Sequence, residues 1–137
     1  MITEILSGLW IGTLEELTNL QFLNDTRISI IINCTESHQL AGNHECQKIR
    51  IPVSELNEPS RDFPLLKQNL SKILQFIHTN IDDKNIVIIG YNNLIIPLLI
   101  VSIYMIKYGD IDKRSIQDIL LSKNALFQFN YDLFYFL

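Results

Sequence analysis

The sequence predicts an α/β domain with a central, mostly parallel sheet of about four to five strands flanked by helices. Three observations carry that prediction. Residues 28–33 and 86–89 are short runs of β-branched side chains, the continuous apolar character of strands buried on both faces. Between them, Leu66, Leu70, Ile73, Leu74, Ile77 and Ile81 fall on one face of a helix over 65–81. The second run then passes through Gly90 and the Asn92-Asn93 pair into a long apolar stretch opened by Pro97, a strand-loop-helix order.

The elements follow in order. Ile2, Ile5, Leu9, Trp10 and Ile11 surround the Ser7-Gly8 break, which predicts two short strands or a strand and a turn within 1–12. Leu14, Leu17, Leu20, Phe22 and Leu23 have the spacing of a helix over 15–23. Thr13 and Glu16 form a capping-box pair at its start, and Asn24-Asp25 closes it. The polar stretch 35–44 reads as loop. Residues 46–53 alternate Ile49, Ile51 and Val53 with Lys48, Arg50 and Pro52, a strand wet on one face and near a sheet edge. Pro59, Pro64, Asn57 and Ser60 make 54–64 an exposed loop. After the 65–81 helix, Asp82-Asp83-Lys84 is a turn. Gly90 ends the 86–89 strand, and the fixed φ of Pro97 suits a first helical turn, so the next helix begins near Ile96, reaches Lys107 and stops at Gly109. Ile116, Ile119 and Leu120 mark a helix over 111–121 capped by Asp110 or Asp112. The aromatic stretch 125–137 predicts a last helix packed on the core. No internal repeat or low-complexity linker divides the chain, so 1–137 reads as one domain.

With 137 residues, 47% of them hydrophobic and 19% charged, the chain is long and apolar enough to build a core, and its composition excludes disorder. A net charge of −4 and a pI of 5.2 argue against nucleic acid as a partner. The stretch 86–107 is about as long as the ~20 apolar residues that span a bilayer, but Gly90, Asn92-Asn93 and Pro97 divide it into pieces sized for a soluble core. No membrane span is therefore expected. Only Cys34 and Cys46 are present, and the first residues hold no basic segment followed by a signal-type apolar run. The expectation is a cytoplasmic protein with two isolated core thiols, preferred over a disulfide between them. The frequent Ile and Asn have AT-rich codons, a composition that suits a viral or AT-rich parasite genome.

A tight loop between a buried strand and a helix gathers backbone N–H groups and the positive end of a helix dipole, an arrangement that often holds anions. Here it carries no matching side-chain chemistry. Gly90, Tyr91, Asn92, Asn93, Leu94, Ile95 and Ile96 include no Cys, Ser, His, Lys, Arg, Asp or Glu. Cys34 ends a strand, but no basic residue adjoins it in sequence, so a structural thiol is the better reading. His38, His44 and Cys46 have a loose metal-like spacing without a compact second ligand pair, and His78 stands apart. No metal and no cofactor are expected.

Several segments resemble one family in order and spacing. Ile5-Leu6-Ser7-Gly8-Leu9-Trp10-Ile11-Gly12 resembles the opening of dual-specificity protein phosphatases. The strand 28–33 with Cys34 and Thr35 is similar to the family's Ile-Leu-Asn-Val-Thr strand, Ile51-Pro52-Val53-Ser54-Glu55 to the segment carrying its general acid, and 101–107 to the helix after its active loop. The resemblance covers essentially the whole chain and implies a dual-specificity-phosphatase-like domain. It also implies what is missing. Where active members have His-Cys, five residues, Arg and then Ser or Thr, this chain has Ile89, Gly90, Ile96 and Pro97, with Asn93 at the loop glycine and Glu55 at the general acid. The expectation is a pseudophosphatase with no catalytic residues, acting through a protein partner or as a homodimer whose interface would use 94–96 and the aromatic C-terminus. A weak phosphate- or phosphoprotein-binding module and an enzyme with other chemistry on the same scaffold are the alternatives.

Overall fold

Five strands make one sheet in the computed structural model, which describes residues 2–18, 20–36, 46–53, 59–129 and 131–137. They are β1 (Thr3–Leu6), β2 (Leu9–Thr13), β3 (Ile28–Cys34), β4 (Gln47–Arg50) and β5 (Asn85–Gly90), in the spatial order β1-β2-β5-β3-β4. Only the β1–β2 hairpin is antiparallel, and the other three pairings are parallel. Its turn depends on Gly8, whose φ of +87° favours a residue without Cβ; an added Cβ would also sit 3.2 Å from the Ile81 carbonyl oxygen.

The central strand β5 explains the uninterrupted apolar run. Ile86 and Ile88 face a large core under α2 (Pro59–Asn80), α3 (Ile95–Gly109) and α4 (Ile116–Lys123). Val87 and Ile89 face a smaller one beneath a 3-10 turn (Glu16–Thr18) and α1 (Leu20–Asp25). With both faces covered, alternation in polarity vanishes. The same reasoning covers α3, buried from Ile95 through Met105 between the sheet and other helices. Among the described residues no helix is long and apolar enough to cross a membrane.

Several boundaries differ from the sequence expectation. The helix over 15–23 is instead the 3-10 turn followed by α1, although the capping box forms: Thr13 N–H donates to Glu16 Oε1 at 2.8 Å and Glu16 N–H to Thr13 Oγ1 at 3.5 Å. The strand over 46–53 pairs at Gln47–Arg50, and Ile51 N–H still donates to the Asn33 carbonyl at 2.8 Å, but Val53 N–H turns back to the Ile51 carbonyl at 2.8 Å and the pairing ends; it is the sheet edge, as its alternation suggested. Helix α2 starts at Pro59, six residues before the predicted start. A proline at the first helical position sacrifices no hydrogen bond, and Pro64 follows barely past the first turn, so neither proline blocks the helix. Helix α3 does end at Gly109 as predicted, but the left-handed residue that follows is Asp110 (φ +53°), whose N–H bonds the Met105 carbonyl. Asp112 does not cap a helix from 111. Its carboxylate accepts from Arg114 N–H at 2.9 Å in a turn, and α4 begins only at Ile116. The C-terminal stretch is not a helix either. It runs in turns with one 3-10 turn (Leu133–Tyr135), yet Phe127 and Phe136 do bury against the core.

Candidate functional site

Strand β5 delivers its last residue, Gly90, to the centre of the sheet's carboxyl edge, beside Cys34 of β3 and Thr13 of β2. Gly90 carbonyl accepts from Leu14 N–H at 2.8 Å, which ties the next segment of β2 to the loop. Residues 91–94 then turn into α3. Asn93 organises that turn: its Oδ1 accepts from Ile95 N–H at 3.1 Å and its Nδ2 donates to Asn92 Oδ1 at 3.1 Å. One of the helix's first N–H groups is thereby satisfied within the loop itself.

The loop closes over Gly90. A Cβ built there would overlap the backbone carbonyl oxygen of Asn93, so the present conformation has room for glycine alone. Below it lies a cavity of only about 10 Å³, lined among others by Cys34, Val53, Asp62, Asn93 and Ile96. That is at most the space of one water. Ile95 and Ile96 turn inward, with Ile96 8% exposed and part of the main core. Asp62, in the first turn of α2, is 3% exposed. Asp62 lines this cavity, and the Asn93 carbonyl oxygen brings negative partial charge to a place where the loop geometry alone favours an anion.

Beside the loop the surface opens. A groove of about 740 Å³ runs between the start of the 3-10 turn and the chain after α4, with Glu15, Glu16, Tyr91, Leu94 and Leu126 among its walls. A recess of about 250 Å³ adjoins it under Leu94, Leu98 and Phe127.

This arrangement of sheet, loop and helices has solved counterparts. DUSP15 aligns over 94% of this chain and 80% of its own with a TM-score of 0.80 and 22% identity. Human DUSP28 aligns over 94% and 84% (TM-score 0.79, 12% identity). The human tyrosine phosphatase-like serine/threonine/tyrosine-interacting protein does so over 94% and 87% (TM-score 0.77, 15% identity). The fold is that of the dual-specificity phosphatases. No protein-family model and no curated protein sequence matches the chain.

Within the dual-specificity phosphatase fold, the positions that the resemblance assigns to the nucleophile and the phosphate-binding arginine fall on Gly90, at the end of β5, and Ile96, in the first turn of α3. Glu55, at the general-acid position, lies outside the described residues, as do His38 and His44. Cys34 sits beside Gly90 but is fully buried, and desolvation pushes its thiol well above the ordinary value of 9.0. Cys46 is partly buried, donates to the Ile28 carbonyl at 3.1 Å and is likewise raised by burial, with Lys48 opposing. Neither is in a disulfide. His78 lies toward the other end of α2 from Asp62, with Nδ1 3.1 Å from the Tyr104 hydroxyl. Among the described residues no three metal-ligating side chains come together. Asp62 is not evident from the sequence, whose prolines make 54–64 read as loop; an acid three residues after Pro59 is the available signal of a helix first turn.

Proposed function

We propose that this chain is a catalytically inactive protein of the dual-specificity-phosphatase fold that works by binding another protein. The observation that supports this most is at Gly90: the position matched to the nucleophile has no side chain, and the Asn93 carbonyl fills the space one would need. Phosphate-ester hydrolysis on this scaffold requires a thiolate of lowered pKa at the helix terminus. It also requires a forked cation to bind the phosphoryl oxygens in pairs. Ile96 offers no donors, and the Cys34 thiol stays protonated because burial disfavours its charged form.

Phosphate affinity is weak in this reading. An exposed helix terminus contributes only about 0.3–1 kcal/mol to an anion. The Asn93 carbonyl opposes even that. Phe127, Phe136, Ile95 and Ile96 are buried in the chain's own core, which favours a different protein over a second copy as the partner. One structural neighbour is named a phosphatase-like, interacting protein, an analogy of fold that is compatible with this role. The two free thiols suit a reducing compartment such as the cytoplasm. Turnover of p-nitrophenyl phosphate under reducing conditions tests the reading: wild type and Cys34→Ala should both be indistinguishable from buffer. Turnover that disappears in Cys34→Ala would overturn it.

A further inference from the structure

We infer that residues 127–137 form a strap, latched across α2 and α3 by side chains with Tyr131 and Ser102 as its catch, which opens as one unit while the sheet stays folded. The first observation is how the strap is attached. The backbone hydrogen bonds described within it are local: Tyr135 N–H donates to the Asp132 carbonyl, and the Phe136 and Leu137 N–H groups donate to the Leu133 carbonyl. Its hold on the body comes largely from rings. Phe136, 4% exposed, meets Phe63 of α2 edge-on with ring centres 5.4 Å apart, and Lys67 Nζ lies 4.6 Å from the centre of the Tyr135 ring. A segment outside the sheet and the helices, whose own hydrogen bonds close short turns, belongs to the part of a structure that opens before the whole unfolds.

The second observation is the catch. Ser102 is fully buried in the middle of apolar α3, and its Oγ lies 2.7 Å from the Leu98 carbonyl and 3.0 Å from the Tyr131 hydroxyl. A serine hydroxyl has one proton, and two oxygens 2.7 Å apart repel unless a proton lies between them. Ser102 therefore donates to Leu98, and Tyr131 donates to Ser102. Burial pushes the Tyr131 phenol up to about 12, with the Ser102 bond opposing, so the donor keeps its proton at neutral pH. The strap is thus joined to α3 by one directional bond.

The third observation is where the strap pivots. Asn124 Nδ2 donates to Thr3 Oγ1 at 3.1 Å, and Asn124 Oδ1 accepts from Leu126 N–H at 3.0 Å, so the turn before the strap is pinned to β1. Just beyond that post the packing is incomplete. Phe127 and Gln128 face Leu94, Ile95 and Leu98 across the recess of about 250 Å³, a seam between strap and helix, and Phe127 also walls the groove of about 740 Å³. Opening the strap widens this seam, reshapes the groove and bares part of α3, which is buried from Ile95 through Met105 when the strap is closed.

Hydrogen exchange of the intact chain, followed by NMR, tests the strap. The Tyr135, Phe136 and Leu137 amides should exchange through an opening less costly than that of β5. Tyr131→Phe keeps the ring and leaves Ser102 bonded to Leu98, so it should accelerate all three amides by one common factor, roughly three- to tenfold, with β5 unchanged. Ser102→Ala strands the phenol and should accelerate them at least as much, and the double variant should be no faster than Ser102→Ala. Unchanged rates in Tyr131→Phe would show that the last turn loosens on its own, and additive effects would show that the two hydroxyls act separately. The inference is equally overturned if the three amides are unprotected in the wild type, if they exchange only together with β5, or if either substitution accelerates β5 as well. None of these outcomes bears on phosphatase activity, so the strap and the inactive-domain reading stand or fall separately.

Discussion

Tyr91 and Asn93 line two spaces that differ greatly in size, the cavity of about 10 Å³ beneath Gly90 and the groove of about 740 Å³ outside it. The scaffold is common to both, since β5 and α3 position the loop for each. What differs is which groups the loop offers. Toward the cavity it sends a backbone carbonyl, and the helix behind it contributes Ile96; toward the groove it offers tyrosine, asparagine and a leucine. In the proposed reading an anion cradle is closed by two ordinary devices, a peptide turned inward and an aliphatic side chain in the core. The larger open space lies next to the Gly90 cavity, not in it.

The sharpest attempt to break this contrast is Ile96→Arg. If the cavity is closed, the guanidinium is desolvated in a space too small to hold it, and urea unfolding should show a loss of roughly 3–5 kcal/mol. A loss under about 1 kcal/mol would mean that the loop opens readily and that Asp62 receives the cation. Gly90→Ala is gentler. Its single methyl group must displace the Asn93 carbonyl, and the expected destabilisation is roughly 1–3 kcal/mol by the same measurement. Unchanged stability would show that the turn swings without resistance. On the open side the effect should nearly vanish: Leu126→Asp adds a charge to a side chain already in water, so its unfolding free energy should stay within about 0.5 kcal/mol of wild type. A larger drop would show Leu126 to be part of the core.

How much of this was legible in the sequence depends on whether the cause is local. The β-branched runs of β3 and β5 and the four-residue spacing of Leu66, Leu70 and Leu74 state their burial outright, and the start of α3 falls within one residue of its expected place. Gly90 and Ile96 flank the turn between β5 and α3, the strand-loop-helix order that the sequence predicts there. The misreadings arise where local signals compete with distant contacts. Pro59 and Pro64 read as loop, yet their positions near a helix start are permissive. The C-terminal aromatics read as a helix, but after α4 the backbone of Asn124 is extended and its side chain bonds Thr3, 121 positions away, so the tail is shaped by what it packs against. No periodicity records such a contact. For the same reason Asp62 and the inward carbonyl of Asn93, which both line the cavity, were invisible until the chain was folded.

The central claim, that the cradle between β5 and α3 is shut to anions, is tested most directly by titrating inorganic phosphate while following the backbone amide resonances of Tyr91 through Ile96 by NMR. The closed loop predicts small, non-saturating shifts across the accessible phosphate range. Saturable shifts centred on those residues with a dissociation constant of about 1 mM or tighter, some 4 kcal/mol of binding, would contradict it.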